Sequence, residues 1–330
     1  MQVFRSIAGA RPLAGCAVAI GNFDGVHLGH RALFELARAQ AAARGGKAAV
    51  LTFDPHPVRV LRPGLLPPCL TPLPRKLELL AECGLDAAVV QPFDLAYAAS
   101  SAAEFVARDL AAGLGAAVVV VGQDFTAGHG RTRVDGLRPL LEQHGIRLTV
   151  VEPVTSDGLV VSSTKIRELL LEGNASGAAE LLGRPHDADG TVVRGGGRGR
   201  SIGFPTANVV TEAMLPGIGV YAVRALVGGG QEPGGPLRHA AAYDGVCNVG
   251  VKPTVQEGGP PSVEVHLFGH GGSDLYGERI RVAFVERLRE ERRFPSVAAL
   301  REQIARDVEA ARGLLTRRAG GEPSPAIPGR

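Results

Sequence analysis

The sequence predicts two modules. Residues 1–183 read as a parallel α/β sheet domain, and residues 184–317 as a small antiparallel β-barrel domain with a C-terminal helix, followed by a disordered tail over 318–330. Three observations carry this reading. In the first half, short β-rich apolar runs alternate with segments of helical periodicity or loop signals, the pattern of a parallel sheet covered by helices. In the second half, strand-like runs follow one another through Gly/Pro loops with no helical pattern between them. Gly and Pro are abundant, 45 and 23 of 330 residues, but 45% of the chain is hydrophobic, which excludes overall disorder and provides a sizeable core.

The strands of the first module are expected at Ala17–Ile20, Ala48–Phe53, Ala87–Val90, Ala117–Val121 and Ile146–Val151. Such sheets bind ligands at the carboxyl ends of their strands. The residues following Ile20, Phe53 and Val121 are polar: Asn22 to His30, Asp54 to His56, and Gln123-Asp124. The boundary is placed near Gly183–Pro185. Strands of the second module are expected at Thr191–Val193, Val220–Val227, Val246–Val251, Val263–Phe268 and Ile280–Val285. A helix follows from Ser296, a suitable N-cap, with Val297, Leu300, Ile304, Val308, Ala311 and Leu315 on one stripe.

Several function classes are excluded. A net charge of +3 with no aromatic-interleaved basic patch does not describe a nucleic-acid surface. Cys16, Cys69, Cys83 and Cys247 form neither a CxxC pair nor a zinc-ligand spacing, and they suit a reducing cytoplasm. Leu13-Ala14-Gly15-Cys16 imitates a lipoprotein box, but the charged and proline-containing stretch before it lacks an apolar core. No window approaches the roughly 18 apolar residues of a membrane span. Gly217-Ile218-Gly219-Val220-Tyr221-Ala222 fits a dinucleotide-binding pattern but leads into a strand, and Gly46-Lys47 lacks the rest of a P-loop.

Two segments point to phosphate chemistry. Gly21-Asn22-Phe23-Asp24-Gly25-Val26-His27-Leu28-Gly29-His30 leaves a strand and enters a helix running to about Ala43. Its histidines lie three apart, so both rings share one face of the first helical turn beside unpaired backbone N–H groups, and a phosphate fits there. Gly29 between them permits close approach. Ser162-Ser163-Thr164-Lys165-Ile166-Arg167 heads another helix. Ser and Thr are ordinary caps, but Lys165 and Arg167 oppose the positive end of the helix dipole; an anion between them would remove that conflict, and a solvated charged face is the alternative.

Together these segments resemble the nucleotidylyltransferase superfamily, a Rossmann-like fold in which an HxGH loop and a Ser/Thr-rich loop grip the triphosphate of ATP. Thr52-Phe53-Asp54-Pro55-His56-Pro57, Val121-Gly122-Gln123-Asp124-Phe125 and Leu182-Gly183-Arg184-Pro185 resemble strings of the bacterial bifunctional riboflavin kinase/FAD synthetase family. The second half continues the resemblance with Gly199-Arg200-Ser201-Ile202-Gly203-Phe204-Pro205-Thr206-Ala207-Asn208, Asn248 to Thr254, Glu264-Val265-His266-Leu267 and Asp274-Leu275-Tyr276-Gly277.

The resemblance implies two activities in one chain. The C-terminal module transfers the γ-phosphoryl of ATP to riboflavin, giving FMN, with Glu264 as base, Thr206 and Asn208 holding Mg2+, and Gly199, Arg200, Gly203, Pro205 and Asn248 about ATP and flavin. Gly195 to Arg200 is expected to form a flexible flap. The N-terminal module lets the FMN phosphate attack the α-phosphorus of a second ATP, giving FAD and pyrophosphate. There His27 and His30 stabilise developing charge, Asn22, Phe23, Asp24, Gly29 and Asp124 surround nucleotide or flavin, and Ser163, Thr164 and Arg167 hold phosphates. His56 and Asp54 close a turn. Thr126-Ala127, Arg133 and the Phe268-to-Ser273 turn depart from the family pattern, so a kinase without FAD synthesis and a non-catalytic flavin-binding regulator stay open as alternatives. The implied partners are riboflavin, FMN and ATP, with no nucleic acid or membrane; monomer and weak self-association both remain open.

Overall fold

The computed structural model describes residues 1–10, 13–65, 68–228, 237, 240–250, 262–271 and 274–319. The chain divides into two compact units: Met1–Pro67 with Lys76–Val161, and Pro68–Arg75 with Ser162–Arg330.

The first unit is built on a six-stranded sheet of β1 (Gln2–Phe4), β2 (Ala17–Ile20), β3 (Ala48–Asp54), β4 (Ala87–Pro92), β5 (Val118–Gly122) and β6 (Arg147–Val151). Their order is β1-β4-β3-β2-β5-β6, and every pairing is parallel. Side chains alternate between faces, so each strand feeds two cores. Ala17, Ala19, Val50, Val118 and Val120 pack with Leu33, Phe34 and Ala37 of helix α1 (Leu28–Ala42). Val18, Ile20, Leu51, Val119 and Val121 pack on the other face with Phe105, Leu110, Leu137 and Leu141. Covering both faces explains why β2 to β5 read as continuous apolar runs. The chain adds β3 on one side of β2 and later β5 on the other. The carboxyl end of β2 is therefore a topological switch point, where open α/β sheets form their ligand crevice.

The second unit holds a closed antiparallel barrel of β7 (His186–Val193), β8 (Ala207–Thr211), β9 (Gly219–Val227), β10 (Ala241–Gly250), β11 (Ser262–Leu267) and β12 (Arg279–Arg289), in the order β7-β8-β11-β10-β9-β12. Its interior is filled by Val192, Val209, Tyr221, Val223, Cys247, Val265, Val282 and Phe284. Helix Val297–Ala319 covers Val220, Ala222, Val246 and Val285 on the outside through Ala311 and Leu315. Ser296 caps it as expected, its Oγ accepting from the Ala299 N–H at 3.1 Å. The stripe is buried only toward its C-terminal end, since Val297 is exposed. A forked Arg289–Asp307 pair at 2.8–3.0 Å ties the helix to β12. Arg318 and Ala319, expected in the tail, continue the helix; the rest of the tail lies outside the described residues.

Residues 162–183, expected with the first module, group by contacts with the barrel unit, because helices Ser163–Leu171 and Ala175–Leu182 pack on each other and Ala175 joins the barrel core. Segment Pro68–Arg75 joins the same unit through Met214 N–H to Cys69 O at 2.7 Å and a buried Arg75–Asp187 pair. Burial pushes the Asp187 carboxyl up, but the Arg75 fork, with Arg184 and Arg281 nearby, holds it below the usual carboxylate range.

Two candidate phosphoryl-transfer sites

In the first unit, the loop from Gly21 to His30 stands at the carboxyl end of β2. His27 is the N-cap of α1, and its Nδ1 accepts the His30 backbone N–H at 3.2 Å. That bond fixes the neutral tautomer with the proton on Nε2 of His27. The His27 and His30 rings stack with centroids 3.5 Å apart, and the Phe23 ring meets His30 edge-on at 5.2 Å. His30 Nδ1 is buried with no hydrogen-bond partner among the described residues. A polar atom left this way at a helix N-terminus suits a ligand that brings its own charge. Gly29 serves this geometry directly: a Cβ there would lie 3.2 Å from the His27 ring and 3.4 Å from the Val161 carbonyl.

Phe23, expected about nucleotide or flavin, is 1% exposed, and its ring packs edge-on against His30. Asp24 is also buried, while Asp124 is exposed at the end of β5. Asn22 is anchored through its carbonyl, which accepts from Lys76 Nζ at 2.8 Å and Thr52 Oγ1 at 3.2 Å. His56 caps the short helix Pro57–Leu61 by accepting from Val58 N–H, in keeping with a turn-closing role. Thr126-Ala127 and Thr132-Arg133 pair as a two-stranded hairpin.

Burial, then the charge that His27 gains when protonated, then the Lys76 ammonium hold the His30 imidazole well below its usual range. The unfolded chain takes up this proton near pH 6.5, whereas the folded chain declines it. The stabilisation is fully present above about pH 6.5 and is lost as pH falls toward the folded value. Thermal denaturation scanned from about pH 7.5 to 5.5 is expected to show a falling Tm, with a shallower fall in a His30→Phe variant.

The Ser/Thr segment lies in the second compact unit. Ser162 is the N-cap of helix Ser163–Leu171, accepting from Lys165 N–H at 3.2 Å. The expected conflict of Lys165 and Arg167 with the helix dipole is met internally: Lys165 Nζ lies 3.1 Å from Glu168, and Arg167 Nε donates to the Pro68 carbonyl at 2.8 Å. An anion is therefore not needed to explain these cations. Ser163 and Thr164 occupy the first helical turn.

The barrel assembles the other site across three adjacent strands. In register, Asn208 of β8 stands opposite Glu264 of β11, and Glu264 stands opposite Asn248 of β10. Their neighbours Val209, Val263, Val265, Cys247 and Val249 point into the barrel core, so the polar row lies on its outer face. Glu264 is half-buried and Asn208 is 9% exposed. Gly195 lies on the Asn208 amide so closely that a Cβ would come within 2.1 Å of Nδ2. A Cβ on Gly199 would likewise collide with the Phe204 carbonyl and come within 3.0 Å of Thr206 Oγ1. The segment expected as a flexible flap contains a short helical turn, Arg198–Ser201, entered through Gly197 at φ 69°. Gly203 ends that turn at φ 87°, a conformation that favours glycine.

A cleft is lined by Arg200, Pro205, Thr206, Asp274 and Tyr276 together with Val265 and Leu267 of the barrel; Asn208, Glu264 and Asn248 do not line it. Arg200 and Asp274 form an exposed pair at 3.0 Å. His266, to which the sequence motif assigns no role, has its Nδ1 2.9 Å from the Pro205 carbonyl, so it carries the proton there and holds the Pro205-to-Asn208 segment against β11. Residues 251–254 of the Asn248-to-Thr254 string and 272–273 of the Phe268-to-Ser273 turn lie outside the described residues. Gly195→Ala is expected to lower phosphorylation of riboflavin about 10- to 100-fold, because its Cβ must displace the Asn208 amide, where errors near 1 Å are costly. Steady-state kinetics of the variant checks this.

Comparison with known proteins places both halves. Residues 10–165 match the family model for FAD synthetase, and residues 182–315 match that for riboflavin kinase. A bifunctional riboflavin kinase/FMN adenylyltransferase of Escherichia coli (strain K12) is 39% identical over 306 residues, covering 91% of this chain and 93% of its own. The protein of the same description from Bacillus subtilis (strain 168) is 38% identical over 304 residues, covering 90% and 92%. A crystal structure from Streptococcus pneumoniae, described as a macrolide-efflux protein, aligns with a TM-score of 0.82 at 29% identity over 94% of this chain and 98% of that one. Among the described residues, no helix of this chain is long and apolar enough to cross a membrane. With both modules matched in order and relatives aligned over nearly their whole length, the chain belongs to the bifunctional riboflavin kinase/FMN adenylyltransferase family.

Proposed function

We propose that this protein makes FAD from riboflavin in two ATP-dependent steps, each on its own module. The observation that carries the reading is the presence of two separate, internally organised sites: the stacked His27 and His30 at the switch point of β2, and the Asn208–Glu264–Asn248 row on the barrel.

On the barrel, Glu264 accepts the proton of the ribityl 5′-hydroxyl as its oxygen attacks the γ-phosphorus and ADP leaves. Asn208 and Asn248 flank the carboxylate in register, and the Asn248 amide, assigned to ATP and flavin, donates to Glu291 at 3.5 Å. Arg200, Gly199, Gly203 and Pro205 border the phosphate-bearing side. The neutral oxygens of Thr206 and Asn208 suit Mg2+, an ion that takes most of its remaining ligands from phosphate and water. Bound there, it supplies charge neutralisation on the transferring group.

On the sheet domain, an oxygen of the FMN phosphate attacks the α-phosphorus of ATP and pyrophosphate leaves. The α1 N-terminus, His27 Nε2–H and His30 meet the charge that develops. A neutral His30 can donate to phosphate from one nitrogen without burying a second full charge. Asn22, Asp24, Gly29 and Asp124 frame the nucleotide and flavin, and Ser163, Thr164 and Arg167 are assigned to the β- and γ-phosphates. Cytoplasmic operation fits the four free cysteines.

Purified protein incubated with riboflavin, ATP and Mg2+, with products separated chromatographically, is expected to give FMN first and FAD after it. FMN without FAD would remove the adenylyltransferase half, and neither product would remove both.

A further inference from the structure

Lys76 lies in helix Leu73–Glu82 and is only 6% exposed, although lysine is among the residues least often buried. Its Nζ donates to the Asn22 carbonyl at 2.8 Å, and Thr52 Oγ1 donates to the same oxygen at 3.2 Å. Both lone pairs of that carbonyl are thereby used, one by a charge-assisted bond. The bonded peptide opens a strained segment. Phe23 and Val26 sit at φ 49° and 45°, left-handed values that are unfavourable for non-glycine residues and persist only where surroundings enforce them. Downstream of this segment, the Phe23 ring meets His30, and His30 stacks on His27.

We infer that Lys76 is a positioning residue for adenylyl transfer: its ammonium clamps the Asn22 carbonyl and so holds the strained Phe23-to-Val26 segment that sets the two histidine rings. The inference rests on the adenylyltransferase reading above. Lys76 acts through the loop and not by gripping nucleotide, so its loss falls on kcat more than on KM. Its buried charge also contributes to keeping His30 neutral.

The test is steady-state FAD formation from FMN, ATP and Mg2+ by the full chain. Lys76→Met keeps the apolar stem without the charge, and is expected to lower kcat about 30-fold or more while KM for ATP changes less than about 3-fold. Lys76→Arg, which keeps a cationic donor, is expected to recover about tenfold over Lys76→Met. FMN formation from riboflavin in the same samples is expected to stay at the wild-type rate. Thr52→Val removes the second donor, and its kcat is expected to fall about 3- to 10-fold at unchanged KM; this variant decides the matter if Lys76→Met does not fold. A wild-type kcat in Lys76→Met, a rise in KM at constant kcat, or Lys76→Arg no better than Lys76→Met would overturn the assignment. In the fallback case, a wild-type kcat in Thr52→Val would do so. Wild-type protein that forms no FAD would instead overturn the adenylyltransferase reading, and the inference with it.

Discussion

His30→Phe is expected to lower kcat for FAD formation about 10²- to 10³-fold while FMN formation continues at the wild-type rate. The substitution is chosen for its shape. A phenyl ring keeps the stack on His27 and the edge contact with Phe23, and it removes Nδ1, a buried atom that has no partner to lose. The loss therefore falls on chemistry at the phosphate and leaves packing largely intact. Assays started from FMN and from riboflavin, on one preparation, separate the two activities. An equal loss in both would contradict independent sites.

Glu264→Gln is expected to produce the complementary result: riboflavin phosphorylation falls about 10²- to 10⁴-fold, the range for removing a positioned general base, and FAD formation from supplied FMN is unchanged. The glutamine is nearly isosteric and remains flanked by Asn208 and Asn248, so the row across β8, β11 and β10 keeps its geometry. Only the ability to take the hydroxyl proton is lost. If the kcat loss were small, the carboxylate would be an ordinary strand residue, and proton removal would have to occur elsewhere.

The sequence revealed much of this arrangement where one physical pattern dominated. Strands β2 to β5 are continuous apolar runs because both faces are covered, and β2 was placed to the residue. Other strands were hidden by their chemistry. Gln2–Phe4 is short and largely exposed at the sheet edge, and Ala207–Thr211 begins inside the Gly199-to-Asn208 string, whose glycines mask the strand signal. The start of β7 carries Asp187 and Asp189, which look wrong for a barrel wall until Arg75 and Arg281 pair with them.

The sites show the same division. The histidine pair and Glu264 stand in local motifs, and short-range spacing was enough to select them. Lys76 was invisible because its partner carbonyl lies 54 residues away, and His266 because its partner lies 61 away. Arg167 has a remote partner of the same kind: its Nε donates to the Pro68 carbonyl, 99 residues away. Contacts between segments remote in sequence leave no periodic trace, so they required the fold.

Two self-sufficient sites on one chain are expected to share only a diffusible product. The decisive measurement mixes Glu264→Gln with His30→Phe, each strongly impaired alone in converting riboflavin to FAD. The mixture is expected to form FAD from riboflavin and ATP, since His30→Phe supplies FMN and Glu264→Gln adenylylates it. Failure of the mixture, while each variant keeps its remaining single activity, would contradict the claim and require direct transfer of FMN within one molecule.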